Sequence, residues 1–231
     1  MSFFPQRRQG GNKLATKKKI PGPSAPTLPS ALTKADEDFP EPEDGQLVET
    51  AEFADMELRH WEARKVRFDG VLFRNVSFSG AALQNAEFLD VVFENCDLSN
   101  TNFQEGALHR VSFRNCKLLG TNFTDSVWRD VTAEECNMGY AVLRFNDWRH
   151  VQLKNSSMAH ADCYHSSWQH TQLEGMKLEQ TVLSGTSLSG IDLSNCDFLS
   201  LSAEPEDLRG CVIDASQAGL LAPLFGLIIK D

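Results

Sequence analysis

The 231-residue chain contains no CxxC pair, no phosphate-binding glycine loop and no nucleophile elbow. Its six cysteines show no zinc-ligand spacing, so they are expected as reduced thiols that hold no metal. No nucleophile, base and oxyanion site assemble at workable spacing, and no cofactor motif is present; the chain is expected not to be an enzyme. The longest apolar run, GLLAPLFGLII near the C-terminus, is too short to cross a bilayer. MSFFPQRRQGG lacks an apolar stretch after its basic residues. A soluble cytoplasmic protein without a membrane partner is the expectation.

Prolines are also missing where they matter, with none between Pro42 and Pro205. Residues 1–45 hold seven of the nine, together with the basic run Lys17-Lys18-Lys19, a PGPSAP stretch and the acidic DEDFPEPED. Such a composition, poor in apolar residues, predicts a disordered tail over 1–45. The tail carries seven Lys/Arg against six Asp/Glu, so the remainder carries 15 against 26, a net of -11 in a chain of net -10. Phosphate binding needs clustered Lys and Arg, so direct nucleic-acid binding by the folded part is disfavoured.

What is present is a clock of five. In FENCDLSNTNF, Phe93, Leu98 and Phe103 stand five apart, a period that fits neither a helix nor a simple strand. Counting from Phe68 to Phe198 gives 27 such positions, twenty of them Phe or Leu and none charged. Two places before each (position i-2) stands a mostly small residue, such as Val91, Cys96 or Thr101; two places after (i+2) Gly, Asn and Asp are frequent. Strand alternation sends i-2 and i to one side and i-1 to the other. The next two residues turn the chain, and Gly, Asn and Asp tolerate the backbone angles required. Four turns close a square coil of twenty residues. That longer period has its own support, because Trp128, Trp148 and Trp168 are twenty apart, as are Cys96, Cys116 and Cys136.

With AEFLD, CDLSN, TNFQE, TNFTD and IDLSN the chain resembles the pentapeptide-repeat proteins, clearly over 66–200 and more loosely back to 51. The resemblance implies an all-β fold: a right-handed quadrilateral parallel β-helix over 46–212, with a C-terminal capping helix in 213–231. Trp61 is large for its i-2 position, which predicts an irregular first coil. In DASQAGLLAPLFG, Asp214 is an N-cap candidate and Gly226 a stop, giving a helix near 214–225, and the strand-like LIIK follows. This segment is similar to the cap of the gyrase-protecting Qnr and MfpA branch. The likeness implies a homodimer paired through Leu221, Leu224, Phe225, Leu227, Ile228 and Ile229.

Two functional expectations follow. One is a non-catalytic solenoid that serves as a protein-interaction surface for an unidentified partner. The other, implied by the same likeness, is a DNA mimic that binds DNA gyrase or topoisomerase IV, type II topoisomerases, and protects them from quinolones. Duplex DNA carries one charge per about 1.7 Å, so a coil rising about 4.8 Å would need roughly three net negative charges. Residues 66–200 hold 16 acids and 10 bases, far fewer, and the column Arg74, Glu94, Arg114, Glu134 alternates in sign. Exposed aromatics and arginine dominate interface hot spots. The stacking of twenty sets Phe145 beside His165 and Arg144 beside Tyr164, and these four are the candidate partner-binding residues. His150, His160, His165 and His170 all fall at i+2; His150 and His170 share a corner and the other two sit at different corners, a poor arrangement for a three-histidine metal site.

Overall fold

A computed structural model describes residues 21–36 and 38–230. Val91 and Phe93, Cys96 and Leu98, and Thr101 and Phe103 all point inward and are buried, while Asp97 and Asn102 between them are half-exposed. The turn residue at i+2 adopts a left-handed conformation nearly throughout, with φ of 53° at Asn75, 57° at Asn85 and 64° at Gly70. Four turns close each coil, and the result is a parallel β-solenoid of about eight turns. Neighbouring coils pair at a step of twenty: Phe88 with Leu108, Phe93 with Phe113, Trp128 with Trp148. The longest strands, Glu87–Glu94, Ala107–Arg114, Val127–Glu134 and Asp147–Lys154, each run across two faces through a corner. On the other two faces isolated bridges hold the same step, as between Asp97 and Lys117 or Asn102 and Asn122.

Stacked coils line up like residues. Phe73, Phe93 and Phe113 form one column with ring centroids 5.0 and 4.9 Å apart. Trp128, Trp148 and Trp168 form another at 4.9 Å per step. Most polar i-2 residues find partners inside, as buried polar groups generally do; Asn146 Nδ2 and Thr171 Oγ1 do not. Thr121 Oγ1 donates to Leu98 O at 2.7 Å, and Cys116 Sγ contacts Phe93 O at 3.5 Å in the equivalent place. Cysteine thus serves at i-2 in one column as threonine does in another. Cys96, Cys116 and Cys136 are buried free thiols. At Trp61 the two inward volumes are exchanged: the indole is buried and stacks on Phe68, while Ala63 takes the i position.

The tail expected over 1–45 needs correction from residue 21 onward; residues 1–20, with Lys17 to Lys19, lie outside the described residues. The strand Thr33–Lys34 pairs in parallel with Ala51 and Glu52. Phe39 packs edge-on against Phe53 at 4.8 Å, closing the aromatic interior. The acidic stretch caps open backbone: the Glu41 carboxylate accepts from Glu62 N, and Asp44 Oδ1 from Arg64 N at 2.7 Å. In later coils the amide equivalent to Glu62 N donates to the coil before, as Ala82 N does to Trp61 O, and at Glu62 a carboxylate takes that carbonyl's role. Earlier still, Ser24 N and Thr27 N bond to the side chains of Asp130 and Asp90. Composition failed here because it asks whether a segment can bury its own apolar groups. This one lies on a surface already built.

At the other end, a short helical turn series covers the last coil: Ala215–Gln217, Ala218–Leu221 and Ala222–Phe225. Asp214 caps it, accepting from Ser216 N at 2.9 Å, and Gln217 Oε1 returns to Asp214 N at 2.9 Å. The buried Gln217 Nε2 donates to Leu193 O and Cys196 O at 2.9 and 2.8 Å, satisfying carbonyls that no further coil would meet. Residues 227–230 form no strand.

Candidate protein-binding site

One face of the solenoid turns Leu143 and Cys163 inward and Val142, Arg144, Asp162 and Tyr164 outward. Its two edges are corners, and both are aromatic. On one, Tyr140 stacks on His160 with centroids 4.7 Å apart. On the other, Phe145 lies 6.3 Å from His165, and Tyr164 stands edge-on to both, at 6.0 and 4.2 Å. Tyr140 is 60% exposed and Phe145 50%. The four expected residues, Arg144, Phe145, Tyr164 and His165, therefore share one side. Tyr140 and His160 extend that side, and the period of twenty was the signal for them.

Arg144 is not a free cation. Its Nε and Nη2 sit 2.6 and 2.5 Å from Asp162 Oδ2, and Asp162 Oδ1 accepts from Tyr164 N at 3.1 Å. The carboxylate thus ties the arginine of one coil to the tyrosine of the next. A third corner carries His150 and His170, stacked at 5.0 Å, with His150 Nδ1 3.8 Å from Asp130 Oδ1. Among the described residues, no three of His, Cys, Asp or Glu gather as a metal-ligand set.

These corner residues stand in a backbone conformation that suits them poorly. φ is 56° at Tyr140, 58° at Phe145, 60° at His160 and 52° at His165. Left-handed φ is strained by roughly 1–2 kcal/mol per residue for most side chains and is tolerated by Gly, Asn and Asp. A bulky aromatic at such a position gains nothing for the turn.

Elsewhere the charges neutralise one another from coil to coil. Arg74 bridges Glu52 and Glu94 at 3.0 and 3.3 Å, and Arg114 reaches Glu94 at 3.0 Å. Arg110 pairs with Asp90, Arg129 with Asp147 and Lys117 with Asp97. At the cap, Leu221 is buried and Leu224 packs on the interior, whereas Phe225, Leu227, Ile228 and Ile229 are exposed, Ile228 at 91%. Among the described residues no helix is long and apolar enough to cross a membrane.

A square parallel coil with an inward column at every fifth residue, and side chains presented from its corners, defines a pentad-repeat solenoid. The chain matches the family described as pentapeptide repeat region over residues 66–143 and 86–162, and as pentapeptide repeats over 169–198. It belongs to the pentapeptide-repeat family. Among solved structures, a trypsin-treated variant of QnrB1, a plasmid-mediated fluoroquinolone resistance protein, superposes with a TM-score of 0.51. It is 19% identical over 87% of this chain and 97% of its own. HetL from the cyanobacterium Nostoc, involved in heterocyst differentiation regulation, is 20% identical over 77% of this chain and 85% of its own, with a TM-score of 0.41. No curated protein matches in sequence. At these identities the likeness is one of fold.

Proposed function

We propose that this chain is a non-catalytic solenoid that binds a protein partner through the side bearing Tyr140, Arg144, Phe145, Tyr164 and His165. The observation that carries the reading is the set of exposed aromatic stacks held in left-handed backbone. Strain kept at a surface marks a place selected for what it presents. Aromatic anchors flanking a fixed arginine are the residue types that dominate interface energetics.

The test is affinity capture with the wild type and with Phe145→Ala/Tyr164→Ala, followed by titration of the purified captured protein. The double variant should bind at least tenfold more weakly while its thermal unfolding stays within a few degrees of the wild type. Equal affinity for both proteins, or a large loss of stability with affinity intact, would withdraw the site.

The gyrase-protecting reading draws on the QnrB1 fold and on the Gln217 cap. The cross-coil ion pairs count against it, since they leave no uniform negative face. Relief of quinolone inhibition in a gyrase supercoiling assay is its direct test. A homodimer through the cap is part of the same proposal, now resting on exposed Phe225, Leu227, Ile228 and Ile229. Leu227→Asp with Ile229→Asp should turn a dimer into a monomer by sedimentation, with the solenoid still folded; a monomeric wild type at micromolar concentration ends the idea.

A further inference from the structure

Residues 23–31 read Pro-Ser-Ala, Pro-Thr-Leu, Pro-Ser-Ala, three triplets with proline first. Residues 21–29 form neither helix nor strand. Proline favours the polyproline II helix, which has three residues per turn and rises about 3.1 Å per residue. One triplet therefore makes one turn and advances about 9.3 Å. Two coils of the solenoid, at about 4.8 Å each, advance almost the same distance.

One corner of the solenoid is built to that step. Its column runs Gly70, Asp90, Arg110, Asp130, His150, so carboxylates recur every second coil. Ser24 N donates to Asp130 Oδ1 at 2.9 Å, and Thr27 N, one triplet later, donates to Asp90 Oδ1 at 2.9 Å. Arg110 between them holds Asp90 with a fork, Nε to Oδ1 at 2.7 Å and Nη2 to Oδ2 at 2.6 Å. Pro29 then crosses Gly70 so closely that a Cβ there would stand 2.9 Å from Pro29 Cδ. Beside the column, Leu72 and Val92 point outward at i-1, yet they are only 7% and 6% exposed and stand outside the interior cluster. Pro26 and Leu28, in the segment passing there, are half-buried in turn.

We propose that this corner is a second binding site, for an extended peptide of proline-first triplets, filled here by the chain's own residues 23–31 and open to exchange with such a peptide in trans. The carboxylates accept from backbone N–H at every third residue, so the site tolerates any side chain there and refuses only proline, which has no N–H. Proline one place earlier keeps the donors in phase. The contact is small, with two hydrogen bonds to charged acceptors and a few half-buried apolar groups. Occupancy by the tethered segment then rests on an effective concentration in the mM range.

The experiment uses the full chain. Ser24→Pro with Thr27→Pro removes both donors, suits the same backbone, and lies outside the solenoid. A fluorescein-labelled peptide of residues 20–32 is titrated with the wild type and with this variant by anisotropy. Binding should be at least tenfold tighter to the variant, because its own segment no longer competes. Adding Asp90→Gly and Asp130→Gly, which suit the left-handed corner, should abolish it. In the wild type, hydrogen exchange should show Ser24 and Thr27 amides protected, and the two glycine substitutions should expose them. Equal binding to both proteins, no binding to the variant at 1 mM, or free-peptide exchange at Ser24 and Thr27 would each overturn the proposal.

Discussion

Two stretches of the solenoid share one backbone and differ at the corners. From 70 to 135 the i+2 residues are Gly, Asn or Asp, apart from Glu105, Arg110 and Glu135; from 140 to 170 they are Tyr140, Phe145, Asn155 and four histidines. φ is the same in both, 54° at Asn95 and 56° at Tyr140. In the first stretch the corners bond along the axis: Asn115 Nδ2 donates to Asn95 Oδ1 at 2.8 Å, and Asn95 Nδ2 to Asn75 Oδ1 at 3.2 Å. In the second they stack rings and present them to solvent. The interior differs too. Among the described residues, the buried side-chain polar atoms without a hydrogen-bond partner belong to Asn146, Trp148, Trp168 and Thr171 inside and to Asp147 on the outer face. Each such atom costs about 1–3 kcal/mol. The inward columns and the backbone pairing between coils run through both stretches, which frees the corners of the second to be chosen for what they display.

That comparison can be broken at several strengths. Interior truncation should be severe and equal in both stretches: Phe93→Ala and Trp148→Ala should each lose about 3–5 kcal/mol in denaturant unfolding. A mild result at Trp148 alone would mean the second interior is held differently. Corner exchanges should be smaller and opposite in sign. Tyr140→Asn should gain about 1 kcal/mol by relieving left-handed strain, while Asn95→Tyr should lose about 1–2 kcal/mol through strain and a broken amide ladder. If Tyr140→Asn destabilises, the ring is packing rather than display. Native-state hydrogen exchange should then find amides of 146–171 opening before those of 87–134, as the unpartnered interior atoms require; uniform protection would erase the distinction.

The smallest effect is a pH response at the occupied corner. The Arg110 fork, helped by Thr27 N, holds the Asp90 carboxyl below its ordinary value of 3.8. A carboxylate depressed in the folded state contributes fully above its ordinary value and is lost as pH falls through the folded one. The Thr27 amide shift, followed by ¹⁵N NMR, should therefore stay flat from pH 7 to about 4 and move only below 3.8. A transition well above 3.8 would assign the contact to another group.

The candidate site was half legible before folding. Phe145 beside His165 followed from the step of twenty, since a stacked solenoid places residue n over residue n+20 with no further information. Arg144 did not follow. Its partner Asp162 is eighteen residues away, at i-1 of the next coil, and choosing that carboxylate over Tyr164 depends on side-chain reach across a face. Trp61 looked too large for its place because the position was read without its neighbour Ala63, which supplies the missing room.

The amino-acid sequence by itself determined the solenoid, its phase from Phe68 to Phe198 and the face each side chain occupies. Its interior is nearly one-dimensional, each pentad meeting pentads of its own coil and of the coils next to it, so spacing alone suffices. Tertiary structure decided what lies on that rod. The register of residues 23–31 on Asp90 and Asp130 arises from matching a three-residue turn to two coils, two periods in distant parts of the chain that meet only in space. The Arg144–Asp162 grip and the Gln217 plug belong to the same class, because charge pairing and carbonyl capping depend on distances between coils that no local pattern encodes.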